Sequence, residues 1–157
     1  MIGLSLTDIA TTVGGTLELG GADTGATIVS GAVETDSRRI TPGGIFVAKP
    51  GEVTDGHLFV PAAVSNGAVV AIVERALDAA ALGGDISQVI VPDAVAALGA
   101  LARRVVAHVH AEGTLTTVGI TGSNGKTTTK NLLARMLEGE GETVAPEASF
   151  NNEVGAP

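Results

Sequence analysis

The alternation of apolar and polar positions divides the chain into short elements. Thr7 to Val13 has helical spacing: Thr7 can cap it, Leu6 stands just before the cap, and Gly14-Gly15 ends it. Thr16 to Leu19 and Ile28 to Val33 read as strands, separated by the turn-prone Gly20-Gly21-Ala22-Asp23. The polar run Thr35-Asp36-Ser37-Arg38-Arg39 predicts a loop, and Pro42-Gly43-Gly44 predicts a turn. Ile45 to Ala48 is a short apolar strand that Lys49-Pro50-Gly51 breaks.

Beyond this point helix and strand alternate. Phe59 to Ser65 predicts a helix, with Pro61 tolerable only in its first turn, and Asn66-Gly67 stops it. Ala68 to Val73 and Ile86 to Val91 predict buried strands. Pro92-Asp93 opens a longer helix with Val95, Leu98, Leu101, Ala102, Val105 and Val109 on one stripe, ending near Gly113. Thr116 to Thr121 predicts a strand leading into a glycine-rich loop. Past that loop, the residues to Leu137 have helical spacing, with Leu133, Met136 and Leu137 available to pack on a sheet. This pattern predicts an α/β protein with parallel strands between helices. A new strand–loop–helix unit follows the long helix, so we expect a boundary there, with domains at 1–112 and 113–157. No internal repeat or low-complexity tract is evident.

Composition narrows the chemistry. The 157 residues are 45% hydrophobic, with three Phe and no Tyr or Trp, which suits an Ala/Val/Leu/Ile core between layers. A formal net charge of −8 counts against a nucleic-acid partner, which needs clustered Lys and Arg. Small phosphates remain possible, because backbone N–H groups and a metal ion bind them locally. Cysteine is absent, which excludes disulfides and thiolate metal sites. The amino terminus lacks signal-peptide character, and no segment approaches the roughly 20 apolar residues of a membrane helix. A monomer in the cytoplasm, without membrane insertion, is the expectation.

The segment Thr121-Gly122-Ser123-Asn124-Gly125-Lys126-Thr127-Thr128-Thr129 carries the chemistry. Phosphate oxygens must approach backbone N–H groups, which side chains at Gly122 and Gly125 would obstruct. The helix starting near Lys126 aims its positive dipole end and unpaired N–H groups at an anion. Lys126 can reach the β- and γ-phosphates, and the Thr127 hydroxyl is placed for Mg²⁺. A strict P-loop has glycine where this chain has Ile120, and Gly119 lies one residue too early. Gly-Lys-Thr arises often by chance; the preceding strand, following helix and consecutive threonines favour phosphate binding over a plain turn.

Thr-Gly-Ser-Asn-Gly-Lys-Thr-Thr-Thr-Lys at 121–130 resembles the ATP-binding loop of the Mur ligases, which build the peptide stem of the peptidoglycan precursor. That family's loop departs from the strict P-loop at the same glycine. Asp36-Ser37-Arg38, Pro42 to Ala48, and Gly51 with Asp55-Gly56-His57 and Phe59 are similar to the uridine-nucleotide-binding region of its first domain. Phe150-Asn151-Asn152-Glu153-Val154-Gly155-Ala156-Pro157, together with Lys130, resembles the member that adds D-alanyl-D-alanine.

The resemblance implies a small amino-terminal α/β domain for the UDP substrate. The first β–(P-loop)–α–β unit of a mononucleotide-binding parallel-sheet domain follows it. It implies ATP and Mg²⁺ at Gly122, Ser123, Asn124, Gly125, Lys126, Thr127 and Thr128, with Lys126 and Thr127 catalytic and Thr127 a metal ligand. Ser37, Asn151 and Asn152 would contact substrate. The substrates would be a UDP-N-acetylmuramoyl-tripeptide and D-alanyl-D-alanine, joined through an acyl phosphate. Family members continue through further domains, so the chain is expected to be a fragment unable to ligate alone. Residues 114–157 should then be less stable than 1–110.

Plainer readings stand beside these. Asp36 can cap a turn and pair with Arg38. Asp55-Gly56-His57 is a tight turn with no second histidine nearby, which argues against catalysis or metal binding by His57. His108 and His110 fall on different helix faces, and Arg103-Arg104 reads as a solvated edge. Alternative functions are a sister ligase adding the third stem amino acid, a non-catalytic uridine-nucleotide-binding module, or an unrelated P-loop phosphotransferase.

Overall fold

The computed structural model describes residues 1–51, 54–113 and 115–146. It falls into two compact units, Met1–Val105 and Val106–Pro157. The first unit contains all the strands formed by the described residues: β1 (Leu4–Ser5), β2 (Thr16–Glu18), β3 (Ile28–Val29), β4 (Val33–Glu34), β5 (Gly44–Val47), β6 (Ala68–Val73) and β7 (Ser87–Ile90). Its helices are α1 (Leu6–Val13), α2 (Val60–Ser65), α3 (Ala79–Leu82) and the start of α4 (Ala94–Ala111).

One sheet has the order β2-β7-β6-β5-β4. The four strands β4 to β7 run parallel, and β2 joins the edge antiparallel through Leu17 opposite Val89. Alternating side chains serve two cores. Ile45, Val47, Val70, Ile72 and Val89 face Leu6 and Ile9 of α1 and Ala94, Ala97 and Leu101 of α4. Phe46, Ala71 and Val73 face Val60 and Ala63 of α2 and Leu82 of α3. Both faces are therefore covered, which is why β5 and β6 read as continuous apolar runs.

Several expectations change in detail. Ser5, not Thr7, caps α1: its hydroxyl accepts from Asp8 N–H at 3.0 Å, and Asp8 accepts back in a capping box. Ser5 and Asp8 have the spacing of that box, which the apolar Leu6 between them disguised. Ile28 to Val33 is not one strand but two. β3 pairs antiparallel with β1, whereas β4 joins the main sheet beside β5. Gly31 makes the switch, because a Cβ there would lie 2.0 Å from the Gly43 carbonyl oxygen. The helix α3 was not anticipated: its four residues are too few for a period, and only Asp78 accepting from Ala81 N–H at 2.8 Å announces it.

The α4 stripe is turned by about one position. Ala94, Ala97 and Leu101 are buried and Leu98 is half-buried, while Val95 and Val105 lie at the margin. Small alanines let the helix axis approach the sheet, and that closeness outweighs the larger valines. Its first turn is closed by carboxylates: Asp93 accepts from Val95 and Ala96 N–H, and Glu74 accepts from Ala94 N–H at 2.8 Å.

In the second unit the expected strand at Thr116 to Thr121 is not formed. Residues 115–121 make no ladder, because the described residues of that unit hold no other strand to complete one. The helix that follows, α5 (Lys126–Leu137), is present and has no buried residue; Leu132 and Met136 are exposed.

Candidate functional site

The glycine-rich loop expected to hold phosphate is built by backbone conformation. Gly125 takes φ 79° and stands at the N-cap of α5, with no side chain capping the helix. A non-glycine residue there would carry left-handed strain. Thr129 N–H donates to Gly125 O at 2.9 Å, which starts the helical ladder. No side chain caps this helix start, and the positive end of its dipole can receive an anion. Nothing lies within 4 Å of a Cβ built at Gly125, so the space beside the loop is open. Gly122, at φ 150°, likewise has only Asn124 O nearby, at 3.7 Å.

Lys126 is the first residue of α5, and its ammonium folds back to donate to Gly122 O at 2.5 Å. That bond brings the charge across the mouth of the loop. Ser123 and Asn124 form the exposed bend, and Thr127 and Thr128 lie exposed in the first helical turn. Lys130, one turn on, donates to Pro146 O. The structure thus gathers Gly122 to Thr128 in one loop and helix start. Asn151 and Asn152 lie outside the described residues.

In the first unit, Ser37 is buried in a short 3₁₀ turn, Ser37–Arg39, between β4 and β5. Its carbonyl accepts from Asn66 Nδ2 at 2.9 Å. Asp36 caps the turn from Arg38 N–H and holds the Arg38 guanidinium at 2.6 Å. The Arg38 side chain and backbone together hold the Asp36 carboxyl down to about 2. The capping reading of Asp36 therefore stands, and Arg38 remains exposed.

The tight turn at Asp55-Gly56-His57 proves to be a junction built around a buried histidine. His57 Nδ1 lies 2.6 Å from Asp55 Oδ1, Glu74 N–H donates to His57 Nε2 at 2.9 Å, and Arg75 pairs with Asp55 Oδ2 at 2.8 Å. Sequence reasoning missed Glu74 and Arg75, whose only signal was two charges directly after a buried strand. His57 N–H first, then the His57 ring and Arg75, hold the Asp55 carboxyl well below the usual carboxylate range. A depressed folded-state pKa contributes stability that is present above the unfolded value, near ~3.9, and is lost as pH falls through the folded value. Asp55→Asn should therefore flatten the acid limb of stability; urea unfolding between about pH 6 and 2.5 checks it. Parallel curves for wild type and variant would contradict the assignment.

A cleft of about 310 Å³ opens at the amino ends of β5 and β6, walled by Asp23, Ile28, Gly31, Pro42, Gly43 and Val69. It contains none of the expected site residues and no cation, and Asp23 is engaged by the Ser87 hydroxyl. We do not assign the phosphate chemistry to it. Among the described residues no His/Asp/Glu cluster could hold a metal, and no helix is long and apolar enough to cross a membrane. His108 instead lies 3.3 Å from Glu112, four residues on and just past the end of α4.

Comparison with known proteins decides the family. Residues 31–118, more than half of the chain, match the model of the Mur ligase family, catalytic domain, and residues 120–157 match the Mur ligase middle domain. The chain belongs to the Mur ligase family. It is 41% identical over its full length to the UDP-N-acetylmuramoyl-tripeptide–D-alanyl-D-alanine ligase of Mycobacterium leprae, of which it covers 34%. Among solved structures it is similar to MurF from Acinetobacter baumannii, at TM-score 0.75 and 32% identity, covering 98% of this chain and 31% of that one. It is also similar to MurF from Thermotoga maritima in complex with ADP, at TM-score 0.60 and 32% identity over 78% of this chain and 27% of that one. This Mur ligase chain therefore spans about a third of the length of the relatives it matches.

Proposed function

We propose that this chain is the leading part of an ATP-dependent ligase that joins D-alanyl-D-alanine to UDP-N-acetylmuramoyl-tripeptide in peptidoglycan precursor synthesis. The observation that carries the reading is similarity along the whole of this chain to a third of a ligase of that name. In the reaction, a carboxylate oxygen of the tripeptide attacks the γ-phosphorus of ATP, and ADP leaves. The D-alanyl-D-alanine amine then attacks the acyl phosphate, releasing phosphate and a proton as the amide forms.

The loop fits a nucleotide triphosphate: it has an uncapped helix start, open space beside Gly125 and a lysine over its mouth. Gly122, Ser123, Asn124, Gly125 and Thr128 would bind phosphate through backbone N–H groups. Lys126 would offset charge on the transferring group, a task of positioning and electrostatics. Thr127 would offer its hydroxyl to Mg²⁺, which supplies further charge neutralisation when bound. The carboxyl ends of parallel strands are where open α/β sheets hold ligands; there we place the UDP portion, with Ser37 as a contact. Asn151 and Asn152 are proposed to serve substrate as well. Domains at 1–112 and 113–157, a monomeric state and a cytoplasmic setting belong to the same reading.

The test is calorimetric titration of the chain with UDP-N-acetylmuramoyl-tripeptide and, in parallel, with ATP and Mg²⁺. Binding of the uridine compound supports the reading, even where ATP binds weakly. If ATP binds and the uridine compound does not, an unrelated phosphotransferase becomes the better account. Amide formation by the chain alone would overturn its place as a non-ligating part of a longer enzyme.

A further inference from the structure

His57 is 4% exposed and uses both ring nitrogens, yet the proposed reaction gives it no task. Glu74 N–H donates to Nε2, so that nitrogen carries no proton; Nδ1 carries it and donates to Asp55. The ring thereby ties two strand ends together. Glu74 directly follows β6, and the turn Ala48 to Gly51 directly follows β5, at the same carboxyl edge of the sheet. Asp55 and Gly56 close that turn from below. Pro50 and Asp55 form an antiparallel bridge, and Gly56 N–H donates to Lys49 O at 3.1 Å. Gly56 sits so close that a Cβ there would meet Lys49 O at 2.3 Å.

The residue this junction presents is Lys49. At this edge Arg38 is taken by Asp36, Arg39 by Glu34 and Arg75 by Asp55. Lys49 has no ion pair among the described residues, although its backbone is fixed by Val47 O and by Gly56. An unpaired cation on a fixed turn, at the ligand-binding end of a parallel sheet, suits an anionic ligand group.

We propose that His57 is a positioning residue that holds the turn after β5 so that Lys49 binds the diphosphate of the uridine nucleotide. The inference rests on the uridine-nucleotide reading of the first unit. The tie acts through geometry: Asp55 and Glu74 fix the ring, the ring fixes Gly56, and Gly56 fixes Lys49.

The experiment is a double-mutant cycle on the whole chain, with calorimetric Kd for UDP-N-acetylmuramoyl-tripeptide at two salt concentrations. Lys49→Met should weaken binding about tenfold and reduce its salt dependence. His57→Phe should weaken it by a similar factor with the same loss of salt dependence, and the double variant should be little worse than either. A merely structural histidine would lower the melting temperature without sharing Lys49's salt signature. His57→Asn, which can keep the Asp55 bond and gives up the Glu74 bond, should fold and bind with intermediate weakening. A folded His57→Phe or His57→Asn chain that binds like wild type overturns the proposal, as do additive effects in the cycle. Failure of wild type to bind the uridine compound overturns the underlying reading and this inference together.

Discussion

Replacing Lys126 with methionine should abolish detectable ATP binding by the chain and, in the whole ligase, lower kcat by about 10³-fold. The magnitude follows from what the loop lacks without it. The helix start of α5 supplies partial charges from backbone N–H groups, but Lys126 brings a full charge, already bent over the loop mouth by its bond to Gly122 O. A phosphoryl transfer depends on such fixed charge more than on any covalent help from the protein. Stability should barely change, because α5 buries no residue. Lys130→Met is the control: its ammonium is committed to Pro146 O one turn along the helix, so ATP affinity should fall by less than about threefold. Calorimetry with ATP and Mg²⁺ on both variants checks this. Equal losses would mean that overall helix charge, and not the loop, binds the nucleotide.

The largest effect on stability is expected at Gly31. Alanine there would put its Cβ 2.0 Å from Gly43 O, 2.4 Å from Gly43 C and 2.7 Å from Gly44 N. All three are backbone atoms at the start of β5, so no side-chain rotation relieves the clash. The chain must either move β5 or lift the segment that carries β4 into the sheet, and Ile45 N–H donates to Ala32 O at 2.8 Å across this contact. We expect a loss of about 3 kcal/mol. For a unit of this size the melting temperature should fall by about 15 °C. Gly43→Ala separates the causes: it has open space but φ 84°, so only left-handed strain applies, about 1 kcal/mol. Thermal melts of both variants decide it; a Gly31→Ala chain as stable as Gly43→Ala would show that the close approach is not rigid.

How far the sequence spoke for the structure differs by element. Ala68 to Val73 was legible to the residue, because a strand buried on both faces, Val69 apart, leaves an unbroken apolar run. The break at Gly31 was not, since apolar residues continue from Ile28 to Val33 and the cause is a contact with Gly43, distant in sequence. The loop and helix start at Gly125 and Lys126 were legible because their demands are local: glycine at a left-handed position, then residues with helical spacing. The stretch before the loop is written in β-branched residues, but a strand exists only by pairing, and the described residues of that unit form no other strand. The Asp55–His57–Glu74 junction was hidden for a related reason: Glu74 reaches the ring through its backbone N–H, which any residue type would supply.

The most direct test of the account is a residue-resolved titration: backbone amide shifts of the isotope-labelled chain, recorded with UDP-N-acetylmuramoyl-tripeptide and separately with ATP and Mg²⁺. The uridine compound is predicted to move amides around Ser37 and at Ala48, Lys49 and Gly51, at the carboxyl edge of the first unit's sheet. ATP is predicted to move Gly122 to Thr128 and to leave the first set in place. Shifts from the uridine compound confined to the cleft at Gly31 and Gly43, or none in the first unit at all, would contradict the account.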